Sequence, residues 1–111
     1  MRQANILYKD IQAGLLTETD EGIYQFQYTP EYVKSYPGQF ITFTMPVTEK
    51  IYTDKRLFPF FEGLIPEGWL LDIASKNWKI NANDRMGLLL ACCQNCIGAV
   101  SVIPLNPAEN E

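Results

Sequence analysis

Alternation of apolar and polar positions dominates the first half of the chain. Ile6-Leu7-Tyr8 runs into a turn at Lys9-Asp10, Leu15-Leu16-Thr17 follows Gly14, and Thr19-Asp20-Glu21-Gly22 has the composition of a hairpin turn. Beyond it, Ile23-Tyr24-Gln25-Phe26-Gln27-Tyr28 alternates cleanly. Tyr24, Phe26 and Tyr28 fall on one face and Gln25 and Gln27 on the other, as in a strand with one packed and one wet side. Pro30 opens a short helical turn through Glu31-Tyr32-Val33-Lys34, which Pro37-Gly38 stops. Phe40 to Met45 alternates again, so that a strand with Ile41, Phe43 and Met45 facing the core is expected before Pro46. Lys50-Ile51-Tyr52-Thr53 is expected as a short edge strand.

The period then changes. Glu67 to Trp78, opened by Pro66, places Leu70, Leu71, Ala74 and Trp78 on one helical face, the expected core stripe. Asn83 is the expected N-cap of a second helix, with Asp84 in its first turn, and Met86, Leu89, Leu90 and Cys93 make its buried face. Gly98 to Ile103 returns as a strand that Pro104 ends. Strands first, helices next and a closing strand predict an α+β fold, a twisted, partly barrel-like antiparallel β-sheet packed by C-terminal helices. Residues 1–105 are expected as a single domain and residues 106–111 as a frayed polar tail.

Composition narrows the function classes. A chain of 111 residues, 47% hydrophobic and without a low-complexity run, can hold one core without metal or disulfide staples. It has no run of 18 apolar residues and no apolar leader at its N-terminus, so neither a membrane nor secretion is expected, and a cytoplasmic location follows. Nine basic against 13 acidic residues, with the basic ones scattered, argue against direct nucleic-acid binding, which needs clustered Lys and Arg. The absence of His removes the usual general base and the commonest zinc ligand.

Candidate chemistry is sparse. Cys92, Cys93 and Cys96 suggest a redox pair or a thiolate metal site, but they come at the end of a predicted helix rather than its N-terminus, and a fourth ligand is missing; inert packing thiols are the better account. No G-x-G-x-x-G, Walker, H-R-D or D-F-G pattern occurs, so the chain is not expected to be a kinase or any other enzyme, nor to carry a cofactor. The aromatic strand Tyr24, Phe26, Tyr28 reads as core, because a base-stacking sheet would need accompanying cations. Gly87, inside a Leu-rich helix, is explained by close approach of that helix to the sheet. Trp69 lies off the Leu70-Leu71-Ala74-Trp78 stripe, with Ile73 one turn on. Two placements remain, folded back over Phe60-Phe61 or presented to a partner as an interface anchor.

The segment Phe58-Pro59-Phe60-Phe61-Glu62-Gly63-Leu64-Ile65-Pro66-Glu67-Gly68, with Ala13-Gly14-Leu15, Thr42-Phe43-Thr44-Met45-Pro46, Leu88-Leu89-Leu90 and Cys96-Ile97-Gly98-Ala99-Val100 in order, resembles the N-terminal module of HipA-type serine/threonine kinase toxins. Where that family commonly has G-x-D before its C-x-G-A-V element, this chain has Cys93 and Asn95. A free-standing version is similar to the HipS component of tripartite HipBST toxin–antitoxin systems. The resemblance implies a non-catalytic antitoxin-like module that binds and neutralises a separate HipT-like kinase, with a HipB-like DNA-binding protein joining through the complex. Partner contacts are expected from Phe61, Pro66, Glu67, Gly68, Trp69 and Ile73, because Trp69 follows the Pro66-Glu67-Gly68 turn off the core stripe and can form one apolar patch with Ile73. The competing readings are an assembly or stabilising subunit of such a kinase that does not inhibit it, and a small redox protein.

Overall fold

A computed structural model describes residues 1–65, 83–92 and 99–105 of the chain. Five strands form one antiparallel sheet: β1 (Arg2–Tyr8), β2 (Ile11–Glu18), β3 (Tyr24–Tyr28), β4 (Tyr52–Asp54) and β5 (Val100–Leu105), in the order β4-β3-β2-β1-β5. Among the described residues three helices accompany it: α1 (Pro30–Ser35), α2 (Pro59–Glu62) and α3 (Arg85–Cys92). The α+β architecture expected from the sequence is present, with β4 and β5 as the edges of an open sheet.

Turn chemistry sets the first two hairpins. Lys9 and Asp10 both adopt positive φ, 51° and 68°, the two-residue turn whose twist suits a hairpin; the Lys9 N–H is tied to the Ala99 carbonyl at 2.7 Å. The second turn uses Gly22 at φ 83° and closes with Thr19 and Ile23 bonded backbone to backbone at 2.8 Å. Between them, the β1–β2 register shifts at Ile6/Leu7, where Ala13 is left without a partner on β1. That bulge explains why Ala13 and Gly14, neighbours in sequence, are both buried.

Cross-strand rows build the core. One row runs Tyr52, Phe26, Leu16, Ala4, Pro104 across the sheet and the next runs Tyr28, Gly14, Ile6, Val102. Gly14 is required there. A Cβ at that position would lie 2.6 Å from the Phe26 ring and 2.6 Å from the Gln27 carbonyl oxygen, so only glycine leaves room for the wholly buried Phe26. Tyr32 of α1, Phe61 of α2 and Met86, Leu88 and Leu89 of α3 complete one continuous apolar cluster with the sheet. Gln25 and Gln27 lie on the opposite, wetter face, where Gln3 also bonds Thr17 and Gln12 bonds Asn5.

The structure corrects several expectations. Phe40 to Met45 is not a sheet strand: it holds one isolated bridge, Thr42 to Met45, and although Ile41 and Met45 are buried, Phe43 is 84% exposed. The cause is a tight turn, with the Met45 N–H bonded to the Thr42 carbonyl at 3.1 Å, which throws Phe43 outward from the alternation. Asp84, rather than Asn83, caps α3; its carboxylate accepts the Gly87 N–H at 3.2 Å and its carbonyl accepts the Leu88 N–H at 3.0 Å. Leu88 is fully buried where Leu90 was expected to be, and Leu90 is half-buried. Pro104 does not end β5 but sits within it opposite Ala4, tolerated because β5 is an edge strand. The expected helix from Glu67 to Trp78, Cys93, Cys96, Gly98 and the tail at 106–111 lie outside the described residues.

Candidate functional site

Of the residues expected at a partner surface, only Phe61 is described. Pro66, Glu67, Gly68, Trp69 and Ile73 lie outside the described residues. Phe61 is wholly buried, its ring 5.8 Å from Phe26, 6.3 Å from Phe58 and 5.2 Å from Phe60. Its role is therefore corrected from partner contact to core anchor: it is the side chain that pins α2 to the sheet. Helix α2 begins at a proline, whose missing N–H suits the first helical position, and it leads through Gly63, Leu64 and Ile65 directly to Pro66.

Two grooves flank α2. One, of about 480 Å³, is lined by Arg56, Leu57, Pro59, Glu62, Gly63 and Arg85. Its charges are partly spent internally, because Arg85 is paired with Glu62 at 3.1 Å. The other, of about 300 Å³, is more apolar and lies between the Thr44-Met45 turn, the edge strand β4 and the Phe58-Pro59-Phe60 start of α2.

The turn beside that second groove is held by three tyrosines. Tyr28, buried, donates its hydroxyl proton to the Met45 carbonyl and accepts the Ile41 N–H at 3.1 Å. Tyr32 donates to the Gln39 carbonyl and Tyr52 to the Pro46 carbonyl, each at 2.6 Å. A segment with almost no ladder bonds of its own thereby has four backbone groups, at Gln39, Ile41, Met45 and Pro46, bonded by tyrosine hydroxyls. Burial pushes the Tyr28 hydroxyl up to about 12, against the opposing effect of the Ile41 amide, and burial likewise raises Tyr32 and Tyr52. All three are neutral, donating phenols at physiological pH.

At the far end of the sheet, Arg2 bridges β1 to α3. Its guanidinium grips Asp84 through two bonds of 2.9 and 3.0 Å and Glu18 through one of 2.7 Å, while the Tyr24 hydroxyl donates to Glu18 at 3.1 Å. The hydrogen bonds from Arg2 hold the Asp84 carboxyl below its ordinary range, and those to Asp84 and Glu18 raise Arg2. Gly87 belongs to this arrangement. A Cβ there would run into the Asp84 carboxylate and lie 3.2 Å from Arg2 Nη1, so the close helix-to-sheet approach expected for Gly87 takes the form of an ion pair packed over its backbone.

These carboxylates hold structure together: Glu18 and Asp84 accept from Arg2, Glu62 from Arg85 and Asp20 from the N-terminal ammonium. Among the described residues no group of three or more His, Cys, Asp or Glu side chains could hold a metal ion. None of the described helices is long and apolar enough to cross a membrane. The aromatic strand Tyr24, Phe26 and Tyr28 is packed into the core and is not a stacking platform. Sequence reading missed the exposure of Phe43 and the Arg2–Asp84 bridge; the Thr-Phe-Thr-Met run hemmed by Pro37-Gly38 and Pro46 was the available signal for a turn, and the bridge had none.

An open antiparallel sheet with a short-helix layer and one continuous apolar cluster among the described residues defines a small α+β module. The chain belongs to the HipA N-terminal domain family, whose model matches residues 4–103. Its fold is similar to a solved structure, the N-terminal domain of HipA toxin, with a TM-score of 0.71 and 27% identity over 95% of this chain and 93% of that one. It is 33% identical over 89 residues to an uncharacterized protein of Haemophilus influenzae, covering 80% of this chain and 79% of the relative. The module is thus related to toxin–antitoxin systems, and the match is to the N-terminal domain, not to a kinase domain.

Proposed function

We propose that this chain is a non-catalytic, cytoplasmic antitoxin-like module that binds a separate HipA/HipT-like serine/threonine kinase and neutralises it. The observation that carries the reading is the family relationship taken together with the size of the relative. The aligned 89 residues make up 79% of the H. influenzae protein, so only about a fifth of that chain lies outside the module, too little for a kinase fold. A relative of that size would meet a kinase as a separate protein, and the same arrangement is proposed for this chain. A HipB-like DNA-binding protein would join through the kinase, since nine scattered basic residues give this chain no phosphate-binding stripe of its own.

The segment from Pro66 to Ile73 is the proposed contact, with Trp69 as its anchor. In sequence it follows α2, which Phe61 fixes to the core. Trp69 blocks the kinase by filling a pocket near the active site or by holding an unproductive conformation. The net charge of −4 speeds encounter with a basic kinase face.

The test is co-expression and inhibition. The cognate kinase should arrest growth by itself and not with this chain, and the purified chain should suppress phosphorylation in proportion to complex formed. Trp69→Ala should weaken binding by about 2 kcal/mol or more. Stable binding with undiminished kinase activity would assign the chain to assembly or stabilisation of the kinase instead.

A further inference from the structure

Phe43 is the most exposed large apolar side chain among the described residues, at 84%, and the fold holds it that way. It occupies the tip of the Thr42–Met45 turn, and its ring stacks on the half-exposed Phe40 at 5.7 Å. On either side the turn is fixed: Ile41 is 6% and Met45 4% exposed, and the hydroxyls of Tyr28, Tyr32 and Tyr52 bond the backbone at Met45, Ile41, Gln39 and Pro46. A loop free to move would fold its Phe onto the nearest apolar surface. Here such a surface is adjacent, the groove of Thr44, Met45, Tyr52, Phe58, Pro59 and Phe60, yet Phe43 does not line it.

We infer that Phe43, backed by Phe40, is a preorganised aromatic finger that inserts into an apolar pocket of the partner kinase, as a second contact in addition to the one proposed for Pro66 to Ile73. This rests on the kinase-binding reading above. The chemistry of the tip selects a protein pocket. From Gln39 to Thr48 the chain carries no charge and its overall charge is −4, so neither nucleic acid nor an anionic membrane has a cation to meet there. Position selects the kinase. The groove beside the finger is shared by the turn and by Phe58-Pro59-Phe60 at the start of α2, the helix that leads in sequence to the proposed contact segment. A rigid aromatic that needs no ordering on binding retains its full contact energy, which is why such residues dominate interfaces.

The experiment titrates the full-length chain and its Phe43→Ala and Phe43→Asp variants against the HipA-like kinase of the same genome, with melting temperature and sedimentation recorded for each free variant. Expected is a loss of affinity of at least ~30-fold for Phe43→Ala, more for Phe43→Asp, with unchanged melts. Unaltered affinity of both variants, while Trp69→Ala binds weakly, would overturn the finger and leave the kinase reading standing. No binding by the unaltered chain would overturn both. A concentration-dependent dimer of the free chain that Phe43→Asp abolishes, with kinase affinity preserved, would assign the finger to a second copy and also overturn the inference.

Discussion

Tyr24–Tyr28 and Phe40–Met45 have nearly the same pattern, aromatic or aliphatic residues alternating with Gln or Thr, and they fold differently. The first is a ladder strand between β2 and β4, with Phe26 and Tyr28 buried. The second, bounded by Pro37-Gly38 and Pro46, turns sharply at Thr42–Met45 and puts one of its three alternating apolar residues into solvent. Alternation commits side chains to two faces only when a neighbouring strand fixes the pleat. Where the neighbour is missing, backbone groups need other partners, and here the hydroxyls of Tyr28, Tyr32 and Tyr52 supply them. The strand therefore does two things, packing through Phe26 and buttressing the turn through the hydroxyl of Tyr28.

The largest test of this contrast is truncation in each region. Phe26→Ala removes a ring that touches Tyr28 at 4.9 Å and Phe61 at 5.8 Å and should cost about 3–5 kcal/mol in denaturant unfolding. A cost under 1 kcal/mol would mean that the sheet core is not centred on β3.

Tyr28→Phe isolates the buttress. It keeps the ring and its stack on Tyr32 but strands the Met45 carbonyl and the Ile41 N–H, for an expected loss of about 1–3 kcal/mol. Hydrogen exchange should quicken at Ile41 and Met45 before it does in β1 or β2. The same group predicts an alkaline limit. The hydroxyl ionises near 10 in the unfolded chain and at about 12 in the fold, so its stabilisation is complete below pH 10 and lost between 10 and 12. Tyr28→Phe should flatten that limb of the stability curve.

A smaller effect is expected from Asp84→Asn, at the Arg2 bridge and away from the Phe40–Met45 turn. Because Arg2 and Asp84 are each more than a third exposed, solvent screens their bond and its loss should be worth about 1 kcal/mol or less. Asp84 is held below its ordinary range, so its contribution is present above about pH 4 and fades as the pH falls through its lower folded value. The substitution should shrink the acid-side loss without touching exchange at Ile41. The smallest effect belongs to Phe43→Ala. With 84% of the side chain exposed, stability should stay within about 0.5 kcal/mol, the converse of Phe26→Ala. A large loss would return Phe43 to the core that alternation first suggested.

Much of the module was legible in the chain. Sequence by itself determined the two hairpin turns, the alternation of β3, the short α1 after Pro30 and the edge position of β4, because each is set by local rules of φ, pleat and proline geometry. The family was legible too, through the Phe58-to-Gly68 motif. Only the tertiary structure decided that Phe61 is a core anchor and Phe43 a surface tip. Burial of a single side chain depends on what lies across from it. Phe61 meets Phe26, while Phe43 stands at the outside of a turn whose backbone is fixed by hydroxyls reaching in from β3, α1 and β4. The bridge from Arg2 to Asp84 shows the same limit, since residues so far apart in sequence are joined only when β1 and α3 pack, with Gly87 leaving the space between them.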